Sequence, residues 1–494
     1  MILSIDQSTQ GTKGLVWGLD GALLGRADVL HTQIIDSRGW VSHDLEEIWR
    51  NVRCAAAQAL EKAGAAPGDV RVIGISNQRE TACCWDKTTG RPLAKAVVWQ
   101  CGRAASITEK LAGEGWADTA RAKTGLQLSP YFSAPKYRWM VENIPAVKAA
   151  QAGGTLCCGT VDSYLLFKMT RGRAYKTDYS NASRTGLLNL DTLCWDADLM
   201  RAYGLTIDCL PELCFSDSLF GETTLDGLLP RPVPIHGVLG DSHAALFAHH
   251  CVEPYTAKVT YGTGSSIMMN AGTQRPAAAP GVVTSLAWGM NGQITYCVEG
   301  NINYTGAVIT WLVQDMKLLE RPALTGEIAA SLPDNGGVYL VPAFSGLGAP
   351  YFNNAARAAI LGMGRSTTPA HIVRAAEECI AYQISDVVAA TRRAAGRPLA
   401  VLCADGGPTK DEFLMQFQAD MLGLPLAISR VEELSGEGAA YCAAIGGGFA
   451  AEAALFAQKS DRRVLPQMAD AARQKLLAEW KRMLQTVAGA TAQQ

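Results

Sequence analysis

Short apolar runs broken by glycine and polar turns recur along this chain, and they fall into two similar sets. In the first set, Ile2–Ser4, Gly14–Gly18 and Ala22–Ala27 read as strands of a tight meander. The polar stretch Asp6–Thr12 and a turn at Asp20-Gly21 join them. A helix over Leu45–Ala63 follows, opened by acids that suit the positive end of a helix dipole. Val70–Ser76, Thr81–Trp85 and Ala96–Trp99 read as further strands, and Pro234–Leu239 as a buried one that runs through Gly240-Asp241 into an Ala-rich helix. The second set opens with Thr256–Tyr261 and Ser266–Asn270 around a turn at Gly262–Ser265, followed by strands at Val282–Trp288 and Ile294–Val298. Helices are predicted at Ile302–Met316, Pro369–Ala395, Lys410–Met421, Gly438–Glu452 and from Met468 onward. The small-residue stretches Ala150–Gly154 and Ala488–Ala492 read as surface loops or fraying ends.

The repeat predicts an α/β protein of two analogous domains, residues 1–248 and 249–494, with a ligand cleft between them. At 494 residues the chain is long enough for two domains and a large core. Hydrophobic content of 48% with 18% charged residues and a net charge of −2 is ordinary for a soluble protein, and argues against nucleic-acid partners and anionic membrane surfaces. No apolar stretch approaches a membrane span, and the first strand ends at Asp6 rather than reading as a signal peptide. The 14 cysteines form no C-x-x-C pair, which predicts reduced thiols in a cytoplasmic protein. Asn181-Ala-Ser183 matches a glycosylation sequon without the secretory signal that would give it meaning.

Chemistry concentrates at strand ends. Asp241 sits where a strand turns into a helix, the place where open α/β sheets keep their reactive groups. Asp6-Gln-Ser-Thr-Gln-Gly-Thr-Lys13 and Tyr261-Gly-Thr-Gly-Ser-Ser266 offer hydroxyls, accessible backbone N–H groups and a lysine, the donors that phosphates need. Asp6 suits Mg²⁺, which prefers oxygen ligands and keeps its waters. A third glycine turn, Asp405-Gly-Gly-Pro-Thr-Lys410, could border a nucleotide, although no Walker loop occurs. Together these point to phosphoryl transfer, with Asp241 as the base or else as a helix cap. His243 is a rival base, more simply read as a histidine on the helix surface. Arg79-Glu80 pairs a donor fork with an acceptor, matching vicinal hydroxyls or forming a surface ion pair. Trp99 and Tyr131 offer flat faces to sugar carbons or to the core.

Longer stretches carry a resemblance. Gly39-Trp-Val-Ser-His-Asp44, Ile75-Ser-Asn-Gln-Arg-Glu80, Pro130-Tyr-Phe-Ser133, Thr177-Asp-Tyr-Ser-Asn-Ala-Ser-Arg-Thr185 and Phe413-Leu-Met-Gln-Phe-Gln-Ala-Asp420 occur in one order over nearly the whole chain. With them the chain resembles the FGGY carbohydrate kinases, most closely the glycerol kinases among them. The resemblance implies two actin-like (ribonuclease H-like) ATPase domains with mixed sheets between helices, and ATP with Mg²⁺ in the interdomain cleft. It implies Asp241 as the base and Asp6 near the metal. It places Thr9, Gln10, Gly11, Lys13, Thr263, Gly306, Thr310, Gly407 and Asp411 on the nucleotide, and Arg79, Glu80, Trp99, Tyr131 and Asp241 on the substrate.

Two departures from glycerol kinases, Ser242 in place of Gln and Ser266 in place of Phe, remove bulk from the substrate pocket. Ser8, Gly11 and Lys13 follow a xylulokinase-like pattern, and Asp226-Gly-Leu-Leu-Pro-Arg-Pro232 lacks a glycine-rich anion loop. The implied activity is ATP-dependent phosphorylation of a terminal hydroxyl of glycerol, a four-carbon polyol or a ketopentose, by a homodimer or homotetramer. A xylulokinase-type pentulose kinase and a binding regulator that has lost catalysis are the alternatives.

Overall fold

The structure is a computed structural model, and it describes residues 1–457 and 461–489. Two twisted mixed sheets form its frame. The N-terminal sheet contains β1 (Ile2–Gln7), β2 (Gly11–Trp17), β3 (Leu23–Leu30), β4 (Val72–Asn77), β5 (Gly221–Thr223) and β6 (Val233–Gly240), in the order β5-β6-β4-β1-β2-β3. The C-terminal sheet contains β7 (Ala257–Tyr261), β8 (Ser265–Gly272), β9 (Val283–Met290), β10 (Gln293–Ile302), β11 (Leu402–Gly406), β12 (Leu426–Ile428) and β13 (Arg462–Val464), in the order β9-β10-β8-β7-β11-β12-β13.

The sheets share one plan. An antiparallel meander, β1–β3 in one and β7, β8 and β10 in the other, continues into two parallel strands, β4 and β6 or β11 and β12. The carboxyl ends of the three parallel strands therefore share an edge in each sheet.

Helices cover the faces. On α1 (Leu45–Lys62), the Asp44 side chain accepts from the N–H groups of Glu46 at 2.9 Å and Glu47 at 3.2 Å. Leu45, Ile48, Trp49 and Val52 recur at helical spacing and are buried against β2 and β3. The short α2 (Asp241–Ala248) follows β6, and α3 (Gly306–Gln314) follows β10. The long α4 (Pro369–Ala395) runs through the C-terminal core. There Tyr382 stacks on Trp480 of α7 (Asp470–Gly489) at 5.2 Å. Between them in sequence lie α5 (Glu412–Leu422) and α6 (Leu434–Gly446). The small residues Ala439, Ala440, Ala443 and Ala444 let α6 pack closely on β1, β4, β6 and α2, so a helix from the C-terminal half covers the N-terminal sheet. Between β4 and β5 in sequence lie helices at Ser133–Asn143, Pro145–Ala152 and Val161–Met169; Tyr137 and Met140 sit in one buried cluster, and Leu165 packs in the cluster of the N-terminal sheet.

Several predicted boundaries move. Ile302 pairs with Ser265 as the last rung of β10, so the helix there begins at Gly306 and ends at Gln314. The helix predicted from Gly438 starts earlier, at Leu434, and stops at Gly446, where a glycine run ends it; Glu452–Phe456 is a separate helix. Ala150–Ala152 are the last turn of a helix rather than loop, which Gly153 and Gly154 then close. Most of Asp6–Thr12 is strand, and the turn shrinks to Ser8–Gln10. Of Ala488–Ala492, Ala488 and Gly489 end α7, and the rest lies outside the described residues. Asn181 of the sequon is fully buried, where it exchanges two hydrogen bonds with Asn77.

Candidate active site

Parallel pairing brings three chain-distant segments to one edge. Asp6 lies beside Ser76 on β4, Gln7 beside Asn77, and Gly240 beside Asn77 from the other side. The residues just beyond these rungs, Arg79, Glu80 and Asp241, therefore converge. Asp241 is the first residue of α2, and Gly240 holds the cap position, so Asp241 does not cap the helix in the usual way. Its Oδ1 accepts from the Ser242 N–H at 2.6 Å and lies 3.1 Å from Nε of Arg79. A helix start favours its negative charge.

Behind Asp241 lies a buried ion network. Arg79 Nη1 donates to Glu299 Oε2 at 2.9 Å, and Arg184 donates to Glu299 Oε1 and, at 2.6 Å, to Glu80 Oε1. Ser285 donates to Glu299 at 2.9 Å. Arg79 and Glu80 are thus buried at 5% and 2% exposure rather than forming a surface pair. Burial alone works against the charge of Arg79, but Glu299, Glu80 and Asp241 outweigh it and raise its pKa. Burial likewise pushes Glu299 upward, and Arg184 and Arg79 overturn that and hold it well below the usual carboxylate range. Glu80 stands at φ 61°, and the Thr81 N–H reaches across it to the Arg79 carbonyl at 2.7 Å. Backbone in this region is costly for a non-glycine residue and is found where a site fixes it.

His243 differs from its surface reading. It is fully buried under Gly240 and Arg79, and burial with Arg79 holds its pKa far below the ordinary value. A neutral, enclosed ring next to a cation is a poor proton acceptor from substrate.

The aromatic pair adjoins the charges, with Tyr131 lining one cavity together with Arg184 and Glu299. Trp99 and Tyr131 meet edge to face at 5.5 Å, and the Trp99 Nε1–H donates to Thr9 Oγ1 at 2.9 Å, which ties the aromatic pair to the first hairpin. Lys136 is buried and donates to the carbonyls of Tyr131 and, at 2.9 Å, Phe132, which pins that turn. Burial lowers Lys136 to about 7.

The first hairpin turns on Thr9 and Gln10, closed by the Ser8 N–H to the Gly11 carbonyl at 2.9 Å. Lys13 on β2 reaches Glu433 at 2.5 Å and stands 3.9 Å from Asp6 Oδ2. Ser76 donates to Asp6 Oδ1 at 2.9 Å. Burial lifts the Asp6 pKa to about 6, against Lys13 and Ser76 and with help from Glu433 and Asp241.

The second hairpin packs on the start of α3. The Gly306 N–H donates to the Gly262 carbonyl at 2.9 Å, and Thr310 Oγ1 donates to the Gly306 carbonyl at 3.0 Å. Thr263 at its tip is exposed. Gly406 takes φ 101°, and a Cβ there would lie 2.0 Å from the Tyr261 carbonyl, so a bare backbone is required. A cavity of about 670 Å³ touches Gly407, Lys410, Arg430 and Glu433; Thr263, Gly306 and Thr310 stand outside its lining. Asp411 caps α5 by accepting from the Leu414 N–H at 2.9 Å and lies against Gly326. Ser242 is half-buried beside Asp241, and Ser266 faces Asn301 across the β8–β10 ladder.

Sequence reasoning missed Glu299 as the centre of the charges and gave no role to Arg184 or Lys136. A glutamate inside an apolar strand, Tyr296-Cys-Val-Glu-Gly300, was the available signal for the first.

Paired meander-and-parallel sheets with an acidic strand end at the cleft define a two-domain kinase of the actin-like ATPase fold. Residues 1–248 match the N-terminal domain of the FGGY family of carbohydrate kinases, and residues 257–447 match its C-terminal domain. The chain belongs to that family, and it is a carbohydrate or polyol kinase. Glycerol kinase 1 of Thermotoga maritima is 43% identical over 97% of this chain and 98% of its own length. Glycerol kinase of Symbiobacterium thermophilum is 41% identical over 99% and 98%. The crystal structure of Plasmodium falciparum glycerol kinase with ADP superposes with a TM-score of 0.93 at 32% identity, covering 98% of both chains. Ligand-bound xylulose kinase from Lactobacillus acidophilus shares the fold at a TM-score of 0.89 and 20% identity, covering 100% and 99%.

Proposed function

We propose that the protein transfers the γ-phosphoryl group of ATP to a terminal hydroxyl of a small polyol or open-chain sugar, with Asp241 as the general base. The observation that carries this reading is the placement of Asp241. Its Oδ1 is fixed by Arg79 and the Ser242 N–H, and it shares a sheet edge with Asp6. In this reading Asp241 takes the hydroxyl proton while the substrate oxygen bonds to phosphorus and ADP leaves. Arg79, Glu80, Trp99 and Tyr131 hold the substrate. Thr9, Gln10, Gly11 and Lys13 meet the phosphates from one sheet, and Thr263, Gly306, Thr310, Gly407 and Asp411 meet the nucleotide from the other. The relatives named glycerol kinase and the ADP complex of one such protein support a polyol substrate and an adenine nucleotide.

Mg²⁺ fits the donor set. One oxygen of Asp6 is taken by Ser76, and the other has Lys13 as its nearest cation at 3.9 Å. Among the described residues no three His, Cys, Asp or Glu side chains form a closed cage. One or two carboxylates completed by phosphates and water is how Mg²⁺ is usually held, and there it neutralises phosphate charge.

Residues 1–248 and 249–494 are proposed as the two domains, in a cytoplasmic homodimer or homotetramer. No helix among the described residues is long and apolar enough to cross a membrane. Coupled ADP release across polyols and ketoses tests the activity. ATP-dependent turnover of at least one is expected; saturable binding without turnover of any would leave a regulator instead.

A further inference from the structure

We infer that the cavity behind Tyr131 is a subsite for the far end of a neutral, linear, polyhydroxylated substrate longer than glycerol. This rests on the proposed function, because it takes the reacting end of that substrate to lie at Asp241. The cavity measures about 240 Å³ and lies between the halves. That is room for about eight waters at ~30 Å³ each.

Its chemistry is one-sided. Gln127, Ser129, Asn301, Asn303 and Asn354 line it, all neutral side chains that both donate and accept. A hydroxyl also both donates and accepts, so carboxamides match a polyol chain better than charged groups would. The two charged residues in the wall, Arg184 and Glu299, are paired with each other. No cation is left over to select a phosphate or carboxylate. Tyr131 and Phe132 supply the apolar faces that carbon-bound hydrogens require.

Two atoms in this region lack a partner. Asn301 Oδ1 and Ser266 Oγ are buried with no hydrogen bond. They are cross-strand neighbours in the β8–β10 ladder, and alternation along β10 puts Asn301 on the same face as Glu299. Buried polar atoms are rarely left unpaired unless something completes them. Asn301 lines the cavity and Ser266 stands behind it outside the lining, so a substrate hydroxyl would meet Asn301 first. Tyr131 belongs both to this wall and to the proposed substrate contacts, and side-chain contacts run from Asp241 through Arg79 to Glu299 in the wall. In this proposal a three-carbon substrate held at Asp241 leaves the amide-lined wall unused, and the further hydroxylated carbons of a longer one occupy it.

The test is a kinetic series of glycerol, four- and five-carbon polyols and ketopentoses, with titration calorimetry of the same compounds in parallel. At least one longer compound is expected to exceed glycerol in kcat/KM by about tenfold or more, the low end of what one extra carbon in a fitted pocket is worth. Asn301→Leu and Ser266→Phe should each cut that preference about tenfold, mainly through KM. Glycerol preferred over every longer compound, or variants that weaken all compounds equally, would overturn the subsite. If no compound releases ADP, the kinase reading fails separately, and the subsite is judged by calorimetry. Tighter binding of longer compounds, lost in Asn301→Leu, then supports it, and equal binding of all chain lengths overturns it.

Discussion

The two sheets share one strand plan but end their parallel strands differently. In the N-terminal sheet those ends carry charged side chains: Asp6 near the end of β1, Arg79-Glu80 after β4 and Asp241 after β6. In the C-terminal sheet the matching ends carry glycine and hydroxyls: Gly262-Thr263-Gly264 after β7, Gly406-Gly407 after β11 and Ser429 after β12. Side-chain charge can be aimed at one reacting atom, and its proton affinity can be set by neighbours. Bare backbone offers several N–H donors to a large anion at close range, with no proton to lose. Under the proposed function this divides the labour. One sheet handles proton and nucleophile, and the other grips a nucleotide. Two acids depart from this: Asp405 near the end of β11 pairs with His249, and Glu299 on β10 crosses over to Arg79 and Arg184.

The largest expected effect tests the charged edge. Asp241→Asn keeps the shape and the Ser242 contact and removes the proton acceptor. Turnover should fall about 10²–10⁴-fold, the usual worth of a positioned acid or base, with polyol binding by calorimetry within a few-fold. Near-normal turnover would leave Asp241 as a mere helix-start residue. Glu299→Gln tests the charge on β10. Arg79 and Arg184 would lose the carboxylate they share and keep only Asp241 and Glu80, and breaking a buried pair typically costs about 3–5 kcal/mol. Urea unfolding should show that loss, and a shift under 1 kcal/mol would mean that water reaches the network.

That network also marks where sequence reading stopped. The meanders, α4 and the Asp241 turn were legible because apolar alternation, a long amphipathic period and a strand–Gly–Asp–helix junction are local signals. α4 was placed to its end residues, Pro369 and Ala395. His243 was misread because its burial comes from Arg79 folding over Gly240, a contact across 161 positions that no periodicity records. Glu299 and Arg184 lie 115 positions apart and pair through the cleft. α6 was shifted because its face is set by the N-terminal sheet, which a C-terminal stretch of alanine and glycine does not announce.

A pH scan probes the seam between the sheets. His249 Nε2 lies 2.8 Å from Asp405 Oδ2, at the end of α2 and of β11. Burial opposes its charge, but Asp405 and Cys403 outweigh it and lift the pKa to about 9. The folded value thus exceeds the unfolded value of about 6.5, so the folded state binds the proton more tightly. That stabilisation is full below pH ~6.5 and lost as pH rises through 9. At ~1.4 kcal/mol per unit it amounts to about 3 kcal/mol. The urea midpoint difference between wild type and His249→Gln should be large at pH 6 and shrink by pH 9.5. A difference that does not change with pH would mean that the ring is neutral throughout.

The smallest effects test the bare edge. A Cβ on Gly306 would lie 2.9 Å from the Gly262 carbonyl and push the second hairpin off α3. Gly306→Ala should therefore raise the KM for ATP about tenfold with kcat less affected, a loss of ~1.4 kcal/mol. Thr310 is the counter-case. Its hydroxyl already donates to the Gly306 carbonyl at 3.0 Å one turn back, so it has no proton free for a phosphate or a base. If backbone does the gripping, Thr310→Val should change the KM for ATP less than about threefold, since an exposed side-chain-to-backbone bond is worth ~1 kcal/mol or less. A tenfold rise in that variant, with Gly306→Ala mild, would reverse the assignment: the C-terminal edge would then read its nucleotide through side chains.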